Sequence, residues 1–366
     1  MAVKAILLTG FPGFIGHALL GTLLRQGRAG TVYLLVQQKF LDLARAQAGA
    51  LAAENPGADL RIVVGDVTKP GLGLAPDALR AVREETGTVF HLAAIYDLAV
   101  GRDLAYAINV VGTRNVLNLC REIKHLDRLV YFSSYTVAGR RRGRLYEDEL
   151  IDGGFKNHYE ETKYEAEAEV RKAMDAIPTV IVRPAIVVGD SRTGATDKFD
   201  GPYFLIRFIW RMAQSGLPFD RIPLPSPYAG RAGLNLVPVD YVARAASELA
   251  VLPEAIGKTF HLCDPNPWTA REILAEACRK YGLRRPVGHV PTPLTRALFR
   301  SRRVRRFFQI PRELIDYTSW RATLDDTNSR TILGTRGIVP PPITRVLPAM
   351  LAYVRANPAT PSDAKF

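Results

Sequence analysis

Short aliphatic runs alternate with amphipathic stretches from the first residues to about residue 182. Strands are predicted at Val3–Leu8, Val32–Val36, Leu60–Val64, Thr88–Leu92, Arg128–Phe132 and Thr179–Val182, where β-branched or aliphatic residues cluster between polar or turn residues. The intervening segments Phe14–Arg25, Asp103–Ile123 and Asn157–Asp175 repeat their apolar positions at helical spacing. Such alternation implies a parallel sheet covered by helices on both faces. Right-handed crossovers leave few topologies, and the expected fold is α/β, a Rossmann-type doubly wound parallel sheet.

The pattern changes after Gly189. Proline- and glycine-rich stretches such as Gly216–Pro227 separate helical segments at Pro202–Gln214, Val239–Leu252 and Ala270–Tyr281. Residues 1–190 are therefore expected to form the doubly wound Rossmann-type domain, with a return segment near 233–262. Residues 191–366 are expected to form a smaller, mostly helical substrate lobe ending in basic helices. Ala5–Leu24 is twenty residues without a formal charge, but Gly10, Pro12, Gly13 and Gly16 interrupt it, so strand, turn and helix explain it better than a membrane span or signal peptide.

Composition narrows the class. Of 366 residues, 47% are apolar and 23% charged, which excludes a disordered or collagen-like chain. The net charge of +13 is local: nine arginines lie between Arg284 and Arg312, and four more at Arg140, Arg141, Arg142 and Arg144. Two patches of that kind, without a recognised binding module, argue against nucleic acid. Cys120, Cys263 and Cys278 have neither zinc-ligand spacing nor even number, so no metal site or disulfide framework is expected and a reducing, cytoplasmic setting fits.

Two motifs carry chemistry. Thr9-Gly10-Phe11-Pro12-Gly13-Phe14-Ile15-Gly16 stands at the first strand-to-helix turn. Glycines there let the backbone approach a pyrophosphate, whose charge the helix N-terminus favours. In such sites an acid usually ends the second strand and holds the ribose of NAD. Here Val36-Gln37-Gln38-Lys39 offers none. An amide and an ammonium tolerate a 2′-phosphate, so NADP(H) is favoured over NAD(H). The second motif is Tyr159-x-x-x-Lys163, which sets a phenol and an ammonium on one helix face, where the positive charge would favour the phenolate. The strand before it ends in Ser133-Ser134, at the sheet edge where α/β proteins bind ligands.

Glycine loop, serine after the fifth strand, then Tyr-x-x-x-Lys: this order resembles the extended short-chain dehydrogenase/reductase superfamily, over roughly residues 3–245. The resemblance implies an NAD(P)-dependent oxidoreductase with Ser134, Tyr159 and Lys163 catalytic and Asn109 supporting the lysine through a water-linked relay. An alternative role for Asn109 is to anchor a helix to a neighbouring strand. By the same resemblance Asp66 and Val67 contact adenine, and Ala93 and Ala94 the cofactor's central ribose. Pro184, Ala185 and Val187, in Arg183-Pro184-Ala185-Ile186-Val187-Val188-Gly189, complete the cofactor site, and Val237-Pro238-Val239-Asp240 also fits the extended branch.

Within the superfamily, Asn157-His158-Tyr159-Glu160-Glu161-Thr162-Lys163-Tyr164-Glu165-Ala166-Glu167 resembles the Asn-x-Tyr-x-x-Thr-Lys-x-x-x-Glu of thioester and fatty acyl-CoA reductases, the male-sterility-like branch. Gly189-Asp190-Ser191-Arg192-Thr193-Gly194 resembles a string of thioester reductase domains. Tyr135 and Thr136 replace the Asp-Glu pair of nucleotide-sugar dehydratases. The implied activity is NADPH-dependent reduction of an acyl thioester, on coenzyme A or an acyl carrier protein, to an aldehyde or onward to an alcohol. Reduction of a nucleotide sugar or a steroid-like alcohol, and a non-catalytic NADP-binding regulator, are the alternatives. Arg140–Arg144 would dock an acidic carrier protein or the phosphates of coenzyme A. Residues 294–308, six arginines interleaved with Leu294, Leu298, Phe299, Val304, Phe307 and Phe308, read as a basic amphipathic helix suited to peripheral contact with the inner membrane face.

Overall fold

The computed structural model describes residues 4–97, 100–221, 233–288, 297 and 320–361. Seven parallel strands form the central sheet: β1 (Ala5–Thr9), β2 (Thr31–Val36), β3 (Asp59–Val64), β4 (Thr86–His91), β5 (Arg128–Phe132), β7 (Thr179–Pro184) and β10 (Thr259–Leu262). Their order is β10-β7-β5-β4-β1-β2-β3, so the chain winds outward in both directions from β1 and β4, as the alternation predicts. Two short parallel pairs stand apart, β6 (Gly143–Leu145) with β11 (Ala322–Leu324), and β8 (Ile186–Val188) with β9 (Leu236–Pro238).

Side chains on successive strand residues point to opposite faces, and each face has its own helices. On one lie α1 (Phe14–Arg25), α2 (Leu41–Glu54) and α8 (Val239–Leu249), where Leu19, Leu20, Leu23, Leu51 and Val242 pack on Ile6, Leu8, Leu34 and Val130. On the other lie α3 (Pro76–Glu85), α5 (Gly112–Glu122) and α6 (His158–Ala173), with Val82, Val116, Leu117 and Ala166 against Leu7, Val89, Leu129 and Ile181. Each Val, Leu or Ile among them contributes roughly 1.5–3 kcal/mol on leaving water. A third cluster joins α7 (Pro202–Gln214), α9 (Ala270–Lys280) and α11 (Ile343–Ala356) around Val188, Phe199 and Leu236. Ile332, Leu333 and Ile338, at the end of α10 (Thr327–Ile332) and just beyond it, return to the sheet's first face.

Ala5–Leu24 is strand, glycine turn and helix, and none of the described helices is long and apolar enough to cross a membrane. Asp103–Ile123 is helical as far as Glu122 but is not a regular α-helix throughout. It comprises α4 (Arg102–Tyr106), a π-helical turn at Ala107–Val111 and α5. The extra residue of a π turn displaces side chains from the regular face, and such turns collect at functional sites; this one contains Asn109. Periodicity does not pick out α2, whose alanine-rich surface buries only Ala44, Ala48 and Leu51.

Candidate active site

The turn between β1 and α1 is shaped by close backbone approach. Gly10 has φ +92°, and a Cβ there would lie 2.8 Å from the carbonyl carbon of Leu92. At Gly13 and Gly16 a Cβ would meet the Gly10 carbonyl oxygen at 2.8 and 2.7 Å. Gly13 caps α1 without any side-chain hydrogen bond, which keeps the first amides of the helix available to an anion. This cradle fits a dinucleotide pyrophosphate. Phe11 is buried against the sheet and its ring stacks on His17.

The remaining cofactor candidates lie at or beyond the C-terminal ends of the strands. Gln37 precedes a single 3₁₀ turn, Gln38–Phe40, that carries an exposed Lys39 with its ammonium 4.8 Å from the Phe40 ring centre. Asp66 is pulled up by burial, but the Thr68 amide and hydroxyl and the Gln37 amide outweigh this and hold its carboxyl below the usual range. Val67 is buried beneath Gly112 and Asn115. The Ala93 amide donates to Thr9 Oγ1 at 3.1 Å, and Ala94 is exposed. Pro184 closes β7, Ala185 is buried, and Val187 lies in β8.

Ser134 follows β5 and accepts from the Thr136 amide while pairing with Thr136 Oγ1 at 2.8 Å. The Tyr159 phenol lies buried beside it, within its electrostatic reach. Lys163, one turn along α6, is buried and donates to the Phe132 carbonyl at 2.6 Å and to Tyr131 Oη at 3.3 Å. Serine and ammonium therefore both stand at the end of β5, with the buried phenol beside the serine. Burial pushes Tyr159 up to about 12, opposed by the Ser134 hydroxyl. Burial pulls Lys163 down to about 8, opposed by Glu167. Burial dominates at both groups, and the phenol keeps its proton at neutral pH, the form that can donate.

The Asn-x-Tyr-x-x-Thr-Lys-x-x-x-Glu string acquires a physical reading position by position. Asn157 caps α6 by accepting from the Glu160 amide at 3.0 Å. Thr162 donates to the His158 carbonyl and accepts from Asn109 Nδ2 at 3.0 Å. Glu167 is fully buried and binds Arg183, Arg171 and the Ser133 hydroxyl. Asn109 also accepts from the Ile95 amide at 3.0 Å, so both ends of its side chain are engaged in clamping the segment after β4 to α6. That geometry is the anchoring alternative.

The Gly189–Gly194 string forms a joint. Asp190 accepts from the amides of Arg192 and Thr193, Ser191 binds Asp240 through amide and hydroxyl, and Tyr203 Oη donates to the Gly194 carbonyl. In the basic loop, Arg141 is paired with Glu149 and the exposed Arg144 with Asp325, the exposed Arg140 donates to the Phe155 carbonyl, and Arg142 is exposed. Residues 294–308, apart from Ala297, lie outside the described residues. Sequence reasoning missed Tyr131, Thr113 and Tyr96. Tyr131 looks like one more apolar strand position, yet its ring lies 4.8 Å from the Lys163 ammonium. Tyr96, half exposed, meets Tyr159 edge to face at 5.3 Å. Nothing in the spacing of these residues marks them.

Comparison with known proteins bears on the same region. The family described as male sterility protein, an NAD-binding family, matches residues 8–246. Fatty acyl-CoA reductase wat of Drosophila melanogaster is 31% identical over 237 residues, 55% of this chain and 46% of that protein. The L-2-aminoadipate reductase large subunit of Penicillium chrysogenum is 30% identical over 311 residues, 78% of this chain and 21% of that protein. The chain thus spans less than half the length of these relatives. Among solved structures, the terminal R domain from the myxalamid PKS-NRPS biosynthetic pathway superposes with a TM-score of 0.79 at 27% identity, covering 100% of this chain and 93% of that one. MoeE5 in complex with UDP-glucose and NAD shares the fold, with a TM-score of 0.64 at 19% identity over 97% of this chain and 100% of that one.

Proposed function

The chain belongs to the male sterility protein family of NAD-binding domains, in the extended short-chain dehydrogenase/reductase superfamily, and from that premise we propose that it is an NADPH-dependent reductase of acyl thioesters. What supports the reading is Ser134 beside a buried, protonated Tyr159 and Lys163 bonded to the Phe132 carbonyl, all near the end of β5, in a sheet whose close-packed β1–α1 turn suits a pyrophosphate. When bound, the reduced nicotinamide supplies a hydride to the thioester carbonyl carbon.

The chain's own residues do the rest. Thr9 through Gly16 hold the pyrophosphate, Asp66 and Val67 the adenine side, Ala93 and Ala94 the central ribose, and Pro184, Ala185 and Val187 the nicotinamide end. Gln37 and Lys39 receive the 2′-phosphate, since no carboxylate ends β2. As negative charge grows on the carbonyl oxygen, Ser134 and Tyr159 donate hydrogen bonds to it, and the Tyr159 proton passes to that oxygen. Lys163 places a positive charge one turn away and stabilises the phenolate left behind. The resulting hemithioacetal breaks its carbon–sulfur bond to give an aldehyde and a free thiol. The substrate enters from the 191–366 lobe, and a carrier protein or coenzyme A meets the exposed Arg140, Arg142 and Arg144.

The test is incubation of the purified chain with NADPH and a panel of acyl-coenzyme A esters, acyl carrier proteins and nucleotide sugars, with aldehyde, alcohol and free thiol measured. Thiol release matched to NADPH consumption on the thioesters supports the proposal. Turnover on nucleotide sugars alone, or tight NADPH binding with no turnover on any member, overturns it.

A further inference from the structure

The sheet register sets Thr9, His91 and Tyr131 side by side on β1, β4 and β5, in the last row before the active-site edge. All three are buried. Alternation turns this row toward the face covered by α5 and α6, where Lys163 and Thr113 also lie. Hydrogen bonds join the row. Thr9 Oγ1 lies 2.8 Å from His91 Nδ1, and Thr113 Oγ1 lies 3.1 Å from His91 Nε2. The His91 ring packs 5.7 Å from the Tyr131 ring, whose hydroxyl accepts from Lys163 at 3.3 Å.

The donor inventory decides the tautomer. Thr113 spends its one proton on the Asn109 carbonyl, 2.6 Å away, and so must accept from His91 Nε2–H. Thr9 Oγ1 already accepts from the Ala93 amide and gives its proton to Nδ1. Every donor in the chain Ala93–Thr9–His91–Thr113–Asn109 then has one acceptor, and the ring carries no charge. Burial, followed by the Lys163 charge, holds the imidazole down to about 3, in agreement.

We propose that His91 is a positioning residue of the active site: fixed as the neutral Nε2–H tautomer, its ring ties Thr9 of the cofactor loop to Thr113 and packs Tyr131, against which Lys163 is set. The two nitrogens serve different ends. Nδ1 fixes Thr9 and, through the Ala93 amide, the floor of the cofactor loop. Nε2 fixes Thr113, and with it the π-turn carbonyl beneath α6. The inference rests on Tyr159 and Lys163 being the catalytic pair, but two of its readouts need no turnover.

The experiment separates the nitrogens. Asparagine places an acceptor where Nδ1 stands, and glutamine places a donor where Nε2 stands. NADPH dissociation constants and kcat are measured for His91→Asn and His91→Gln, with ¹⁵N NMR of the wild-type imidazole. NADPH binding is expected to be weaker in H91Q than in H91N, and kcat higher in H91Q than in H91N, each by roughly tenfold, the worth of one hydrogen bond. The wild-type ring should show a protonated Nε2, an unprotonated Nδ1 and no titration between pH 5 and 9. Equal losses in both variants, or the reverse order, overturn the division of labour. A ring protonated on Nδ1, or one titrating near neutrality, overturns the proposal even if neither variant folds. Should the chain lack turnover, the NADPH constants and the NMR signature still decide the point independently of the catalytic reading.

Discussion

Replacing Glu167 by glutamine tests how the site is held. The side chain is fully buried, and its carboxylate serves Arg183, itself 2% exposed, together with Arg171 and the Ser133 hydroxyl next to Ser134. Glutamine keeps the shape but removes the charge, leaving Arg183 without its counter-ion. Burial alone would raise this carboxyl, yet Arg183, Arg171 and Ser133 bring it from 4.5 to about 2. A depression of that size corresponds to about 3 kcal/mol, at the lower end of what breaking a buried pair costs. Because the folded-state value is lowered, this stability is fully present above pH 4.5 and lost as pH falls toward 2. Urea unfolding should therefore show Glu167→Gln about 3 kcal/mol less stable than the wild type at pH 7. With an unfolding entropy of roughly 0.8 kcal/mol/K for a chain this long, Tm falls by about 4 °C. Repeated between pH 5 and pH 3, the gap should narrow. A gap below about 1 kcal/mol at pH 7, the range of an exposed pair, or one that stays constant down to pH 3, would refute the reasoning.

Two further substitutions address the cofactor side. Gly10→Ala introduces a Cβ 2.8 Å from the Leu92 backbone at a φ of +92°; equilibrium titration should show NADPH binding weakened at least about tenfold, with a stability loss of about 1–3 kcal/mol. Wild-type affinity in that variant would mean the turn does not seat the pyrophosphate. Lys39→Glu puts a carboxylate beside the expected 2′-phosphate and should reduce the NADPH-to-NADH affinity ratio by about tenfold or more; an unchanged ratio would place the discriminating group elsewhere.

The strand-helix alternation was sufficient for the sheet because each strand is a compact apolar run and each glycine, proline or polar cluster marks an end. The four-residue β10 carries too little periodicity to read, and the π turn at Ala107–Val111 is invisible to a helical wheel that assumes constant pitch. Of the candidate site, Gly10, Ser134, Tyr159 and Lys163 could be singled out in the sequence because backbone sterics and proton chemistry restrict which residues suit such positions. Thr113 and Tyr131 could not, and His91 was legible only as the first residue of His91-Leu92-Ala93-Ala94. They sit in ordinary strand and helix patterns, and only the register across β1, β4 and β5 brings them into one row. The arginines at 140–144 show the opposite failure: charge is visible in sequence, but the pairing of Arg141 with Glu149 and of Arg144 with Asp325 depends on tertiary contacts.

Single-turnover reduction of an acyl-coenzyme A by wild type and Tyr159→Phe, with NADPH oxidation and thiol release followed together and NADPH affinity measured separately, tests the central claim most directly. The variant should bind NADPH as the wild type does and lose about 10²–10⁴-fold in rate, the usual contribution of a general acid. Thiol release at the wild-type rate from the phenylalanine variant would contradict it.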